Sequence, residues 1–572
     1  MIRQEIIKQY VASLKEDGEL DFIFPILLER MGYRVLSTPK QSKGQSQYGR
    51  DVIAVKKRNR VPTLYLFELK GFVAKDITDR NLNEKDGLIE SLRASKYTEY
   101  EDAGIPGLKN YPRQYVYVHN GLADANVMPT LNGFIQTEFP NGNFERWDLE
   151  KLTVLFSDYL FDETLLADDK SYRLFKKVLV LQDAEENDFS DLLALVDYQI
   201  EKMELAKHDS RRALLNYFGT LRLIGAMMYY YARESNNLYP AKFCIDTIVL
   251  KTWAWILRGK REKKPSVLSL FNGLVMLQMQ IYEEYINKIL QFANLKKSLY
   301  SFQSSLTEQV FYPLRCYDFL GDLIYFYEMT EAYGASLEKV GKIRMDALKT
   351  IVRNNSACTV PLLDTHTIPI LMVYRYMIFR IKTQDDVDSL GEFVMDSVLN
   401  LIQRYRNQKM WPELSGNRMA LAKSLVKKSD NYCCDSSLLL TVMFELISYL
   451  NISEFYTFLK RVVDDSEVDL QVAYPEQAEY DIEQLLFEHR LNKELSVETG
   501  IKLPETLEEF KQKFRKRYKS IKYRTDSKGY GFLRLLAHKY YETDLFPDFL
   551  GREYCTWEED GICRRGDLMV KG

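Results

Sequence analysis

Tyr48-Gly49-Arg50-Asp51-Val52-Ile53-Ala54-Val55, then Lys57-Arg58-Asn59-Arg60-Val61-Pro62, then Leu64-Tyr65-Leu66-Phe67-Glu68-Leu69-Lys70-Gly71, is the stretch whose reading decides the fold. Both arms are short and rich in β-branched and aromatic residues, and the basic segment between them has turn composition, so the pattern predicts a β-hairpin. Pairing that is symmetric about Asn59 and Arg60 puts Asp51 opposite Glu68 and Gly49 opposite Lys70. Glu68 and Lys70 share a face because side chains alternate along a strand. Carboxylates placed directly across a ladder stand about 5 Å apart at Cβ and repel one another. Either one of them keeps its proton or a divalent cation sits between them. Lys70 favours the cation, because an ammonium beside the acids can orient or deprotonate a water while Gly49 leaves room for a phosphate. Oxygen ligands select magnesium or manganese over zinc. The competing reading is an ordinary exposed hairpin with a Glu68–Lys70 surface pair. The Gly-x-Asp one strand earlier, the apolar run into Glu68 and the Gly after Lys70 weigh against it.

These residues resemble a known family. Tyr48-Gly49-Arg50-Asp51 followed by Phe67-Glu68-Leu69-Lys70 is similar to the PD-(D/E)xK nuclease superfamily, in its Mrr-type restriction endonuclease branch. The helix end that precedes the hairpin in that branch, Leu-Leu-x-x-x-Gly-Tyr-x-Val, is matched by Leu27-Leu28-Glu29-Arg30-Met31-Gly32-Tyr33-Arg34-Val35. The resemblance covers the first quarter of the chain. It implies a restriction-endonuclease-like α/β domain that hydrolyses phosphodiester bonds with Mg2+ or Mn2+. Asp51, Glu68 and the backbone carbonyl of Leu69 would hold the metal, and Lys70 would serve the attacking water. The family often adds an acid on the preceding helix, and alignment on the Leu27-Leu28 pair carries that role to Asp21, with Glu29 as the substitute. Pro25 lies four residues after Asp21 and removes the helical hydrogen bond to its carbonyl, so the helix is expected to begin near Phe24 and leave Asp21 outside.

With 572 residues the chain is long enough for more than one domain. Its 46% hydrophobic and 28% charged content is that of a folded protein. A net charge of −3 argues against a uniformly basic nucleic-acid binder, while leaving room for a local basic patch. The start, Met1-Ile2-Arg3-Gln4-Glu5, is charged where a signal peptide needs an apolar core, and no apolar run reaches membrane-spanning length, so a cytoplasmic protein with no membrane partner is expected. Seven scattered cysteines form neither a disulfide framework nor a zinc pattern.

Along the chain, Ile2, Ile6, Tyr10, Val11 and Leu14 predict a first helix packed on the hairpin sheet and closed by Gly18. Residues 41–47 have loop composition, 83–100 read as a polar helix, and Gln114 to Val118 as a third strand ended by His119, a residue expected to be hydrogen-bonded structurally. Phe144 to Trp147 leads into a helix capped by Asp148. The nuclease-like domain is placed at 1–165. Beyond it, 166–572 reads as a large all-α region, with a possible subdivision near 470–500, because segments such as 192–205, 211–233, 266–293, 306–333 and 368–381 have helical period. Asp364 to His366 and Arg534 to His538 match no metal or nuclease spacing and read as buried polar contacts. The stretch 511–524 interleaves aromatics with cations, which makes Lys513, Arg515, Lys516, Arg517 and Lys519 candidates for nucleic-acid contact. It also suits an amphipathic helix with Phe514, Tyr518 and Ile521 on a core.

The sequence thus points to a metal-dependent endonuclease acting on DNA, self-associating, and belonging by architecture to bacterial anti-phage defence or restriction. No phosphate-binding Gly-x-x-x-x-Gly-Lys-Ser/Thr loop is present, so any NTP-driven or sensing step would come from a partner protein. The alternatives are a nucleic-acid-binding or scaffold protein that does not cut, and a nuclease acting on RNA.

Overall fold

The computed structural model describes residues 2–38, 50–71, 77–84, 87–100, 105, 107–160, 166, 168–181, 189–205, 209–301, 307–334, 337–424, 431–473, 481–494, 497–515 and 523–543. Two compact units are present: 1–249 with 264–278, and 250–263 with 279–572.

The first unit opens with α1 (Ile2–Ser13), α2 (Asp21–Arg30), β1 (Arg34–Ser37), β2 (Val52–Arg58) and β3 (Val61–Lys70). Asn59 and Arg60 close the β2–β3 hairpin with φ of 49° and 71°. Two consecutive left-handed residues make the two-residue turn whose twist matches that of the arms. The register runs from Arg58↔Val61 to Val52↔Phe67, the symmetric pairing that the sequence predicts. After β3 come α3 (Asp79–Asn83), α4 (Leu88–Tyr97), β4 (Arg113–His119), α5 (Met128–Glu138), β5 (Phe144–Trp147) and α6 (Leu149–Tyr159). The five strands lie in the order β1-β2-β3-β4-β5. The first two pairings are antiparallel, and β4 and β5 add in parallel. Parallel addition needs a crossover, and α3 with α4, then α5, supply it.

Alternation divides the sheet into two buried faces. Ile53, Leu64, Leu66, Tyr115 and Tyr117 pack with Leu88 and Leu92 of α4 and Leu131 of α5. On the other face Phe67 meets Phe24 of α2 edge-on at 5.4 Å and Trp147 at 5.5 Å, and Tyr33 meets Tyr65 at 5.0 Å. Asp148 caps α6 by accepting from the Lys151 amide. The first helix packs against α6, and the Asn120 side chain ties its end by donating to the carbonyls of Val11 and Leu14. The unit continues through α7 (Asp169–Leu181), α8 (Ser190–Leu205) and α9 (Arg211–Glu234), the last of which also packs on α1.

Three local expectations are corrected. The second helix begins at Asp21, not near Phe24. Leu20 and Asp21 already have helical backbone angles as the chain leaves a wide turn over Glu16–Leu20, so Pro25 removes only the outermost bond of the helix. The polar helix expected over 83–100 is shorter, α4 over Leu88–Tyr97, with Asn83 ending α3 and Gly87 in extended conformation before α4. The later region is mostly helical rather than all-α: it carries two minimal strand pairs, Ser436–Ser437 with Asp469–Leu470 and Val472–Ala473 with Val497–Glu498.

The second unit is built from long helices such as Glu308–Ala332, Leu337–Asn354, Gln384–Gln408 and Leu438–Tyr449. Tyr317, Tyr325, Tyr374 and Tyr376 are fully buried in it, so these rings serve packing within the chain. Asp364 caps the helix Leu438–Tyr449, and the His366 ring accepts from the Leu362 amide, both as buried polar contacts. Among the described residues no helix is long and apolar enough to cross a membrane.

Candidate active site

The site stands at the end of the hairpin opposite its turn. Asp51 follows the same register one step beyond Val52: its amide donates to the Phe67 carbonyl at 2.8 Å, which sets it level with Glu68. Its Oδ2 accepts from the Leu69 amide at 2.7 Å. Glu68 is 2% exposed; its Oε1 accepts from Lys70 Nζ at 2.9 Å and from the Ser91 hydroxyl of α4. Its Oε2 is buried and has no hydrogen-bond partner among the described residues. Two acids and one ammonium are therefore gathered as the sequence predicts. Gly49, expected opposite Lys70, and the polar loop 41–47 lie outside the described residues.

Burial first, and the Glu68 carboxylate second, push Asp51 up to about 7. The like charges do not fully ionise together near neutrality without something positive between them. Lys70 shows the opposite sign. Burial disfavours its charge, but Glu68, Glu16 and Asp51 outweigh that and raise it above the ordinary lysine value. A lysine held so firmly protonated suits orienting a water and balancing charge, not accepting a proton.

Glu16 is the residue that sequence reasoning missed. Its Oε1 lies 3.7 Å from Lys70 Nζ and its Oε2 accepts from the Gly71 amide at 2.8 Å. The chain reaches this position because Gly18 takes φ of 82° in the turn before α2. It also needs Gly71, where an added Cβ would stand 2.8 Å from the Glu16 backbone nitrogen. A Gly directly after the Lys was the available signal, but its partner lies 55 positions away in the chain.

The helix acids named from the resemblance are Asp21 and Glu29. Asp21 is half-buried; its Oδ1 has no partner among the described residues, and burial, with Asp17 and Glu16 nearby, raises its carboxyl. Glu29 is exposed in the last turn of α2. Neither has a hydrogen bond or ion pair to the Asp51–Glu68 pair among the described residues.

Arg50 is buried at 5% exposure and donates to the carbonyls of Ser95, Thr98 and Glu99. It thereby caps the C-terminus of α4 and holds the helix whose Ser91 reaches Glu68. Beside Glu68 and Lys70 in the parallel register lie Tyr117 and His119 of β4, stacked on one another with ring centroids 5.1 Å apart. The Tyr117 hydroxyl and both ring nitrogens of His119 are buried without a partner among the described residues. His119 was expected to be hydrogen-bonded; instead burial, aided by Arg146, lowers it to about 4 and leaves the ring neutral. The alternation of Tyr115, Tyr117 and His119 could have placed all three on the acid-bearing face.

Among the described residues no three His, Cys, Asp or Glu side chains form a metal cage. The acids gathered here are fewer, the two carboxylates of Asp51 and Glu68. Magnesium is held in that way when substrate phosphates and waters complete its shell. With two carboxylates level across the hairpin and Glu68 Oε2 unmatched among the described residues, the residues present fit a divalent cation.

Of the candidate nucleic-acid contacts, Lys513 is exposed on the helix Leu507–Arg515 and donates to the Lys502 carbonyl at 2.9 Å. Arg515 ends that helix, whereas Lys516, Arg517 and Lys519 lie outside the described residues. The same helix buries Phe510 against Phe444 and Tyr456; Tyr518 and Ile521, expected on a core, lie outside the described residues.

Compared with known proteins, the chain matches no family model, no curated protein and no solved structure.

Proposed function

We propose that the first unit is a divalent-metal-dependent endonuclease hydrolysing phosphodiester bonds of DNA. The observation that carries this reading is the pair of half-buried Asp51 and buried Glu68, set level across one hairpin with Lys70 2.9 Å from Glu68 and an oxygen of Glu68 unmatched among the described residues. Buried like charges are destabilising unless a ligand completes them. Asp51 and Glu68, with the Leu69 carbonyl, would hold Mg2+ or Mn2+, and the ion when bound supplies Lewis acidity toward the phosphate and a more acidic water. The chain's own groups do the rest. Lys70 orients the water and offsets charge building on the phosphoryl oxygens, Glu16 fixes the ammonium, and Ser91, held by Arg50 through α4, fixes the Glu68 carboxylate. Cutting both strands of a duplex takes two such sites, so self-association through the helical regions belongs to the proposal, as does control by a sensor or NTPase partner, on analogy with defence nucleases.

The test is nicking of supercoiled plasmid with Mg2+ or Mn2+, wild type beside Glu68→Ala and Lys70→Ala. Cleavage that needs the metal and is lost in both variants supports the reading. Cleavage equal in all three, or retained in chelator, overturns it.

A further inference from the structure

A cleft of about 700 Å³ lies in the second unit between the helices Glu308–Ala332 and Gln384–Gln408 and the segment Ser356–Leu362. Its electrostatics are unbalanced. Arg404 lines it and, among the described residues, makes no ion pair and donates from Nη2 to the Tyr432 hydroxyl at 3.1 Å. Its Nε is buried with no partner among the described residues. A guanidinium cannot shed its proton, so a buried and unmatched N–H calls for an acceptor, best an anionic one. Lys297, exposed at the rim, likewise forms no ion pair among the described residues. Among the described residues the one acid lining the cleft is Glu308, already matched by Arg315 and the Ser301 amide.

The rest of the lining narrows the ligand. Gln403, Asn407 and Gln408 stand beside Arg404 on the helix Gln384–Gln408, so its groove-facing side presents carboxamides where such a stripe is ordinarily apolar; the Asn400 amide is already taken by Thr359. A carboxamide offers a donor and an acceptor side by side, the complement of a nucleobase edge. Tyr300 and Tyr312, edge-to-face at 5.5 Å, add flat aromatic wall for a base. Solvation of a polar surface groove accounts for the exposed amides but not for a guanidinium that has no counter-ion among the described residues. The volume falls in the range of small-molecule sites.

We infer that this cleft binds a nucleotide, its phosphate on Arg404 and Lys297 and its base against the carboxamide stripe. The site is independent of the Asp51–Glu68 chemistry and gives the second unit a ligand-sensing capacity.

The test is calorimetric titration of the full chain with the four ribonucleoside monophosphates, the corresponding nucleosides and inorganic phosphate. At least one monophosphate is expected to bind with Kd below about 100 μM, and its nucleoside and inorganic phosphate at least about tenfold more weakly. Arg404→Gln should weaken that binding about tenfold or more. Because Arg404 also touches Tyr432, the double variant Gln403→Ala/Asn407→Ala, at exposed positions that leave packing intact, should weaken it about fivefold or more. Absence of binding by every monophosphate at about 1 mM, equal binding of inorganic phosphate, or an unchanged double variant would each overturn the assignment.

Discussion

Buried carboxylates are treated in two ways in this chain. In the second unit Asp364 accepts from the Leu438 and Leu439 amides at 3.0 and 3.1 Å and from the Ser437 hydroxyl, at the positive end of a helix. Glu483 is matched as fully, by both the amide and the hydroxyl of Thr525 and by the amide and Nε of Arg524. In the first unit Glu68 keeps one oxygen unmatched among the described residues and shares its surroundings with a second, half-buried acid. Donors from the chain itself turn a buried charge into a structural fastening, whereas at Glu68 the unmatched oxygen stands beside a second acid and an ammonium.

The contrast can be broken most sharply at Glu68. Glu68→Gln keeps the shape and removes the charge, so metal-dependent nicking should fall about a thousandfold or more while circular dichroism and melting stay near wild type. Asp364→Ala should do the converse. It strips the helix cap and three hydrogen bonds to a charge, lowering unfolding free energy by ~3 kcal/mol in urea titrations, with nicking per folded molecule unchanged. A pH series sharpens the comparison. Asp51 holds its proton up to about 7 in the fold and loses it near the ordinary carboxyl range when unfolded. The folded state then binds more protons between about pH 4 and 7, so in chelator stability falls as pH rises through that window. Asp51→Asn should flatten the slope and stabilise the protein most above pH 7. Added Mg2+ should raise the melting temperature of wild type more at pH 8 than at pH 5.5, because the ion displaces that proton. The smallest effects concern the third acid: Glu16→Gln should slow nicking about tenfold, and Glu29→Gln should leave it unchanged.

What was readable in the sequence was what is local. Alternation and a two-residue turn fix the hairpin, so the positions of Asp51, Glu68 and Lys70 follow from counting. Glu16, Ser91 and Arg50 were not readable because tertiary packing delivers them: a turn with a left-handed Gly18 brings Glu16 to Gly71, and the crossover helix α4, fastened by Arg50, brings Ser91. Helical periodicity announced the long helices of the remainder, but it says nothing about grooves between them, and the carboxamide stripe from Gln403 to Gln408 reads in sequence as a plain solvated face.

The hairpin turn has one more implication. Asn59 and Arg60 touch neither acid, yet every residue between them and Asp51 must be matched by one between them and Glu68. Inserting or deleting a single residue in either arm would swing one acid to the opposite side of the sheet. The arms thus act as a ruler: in descendants of this sequence their composition can drift widely, but an indel there would silence the chemistry at a stroke while leaving every acid in place.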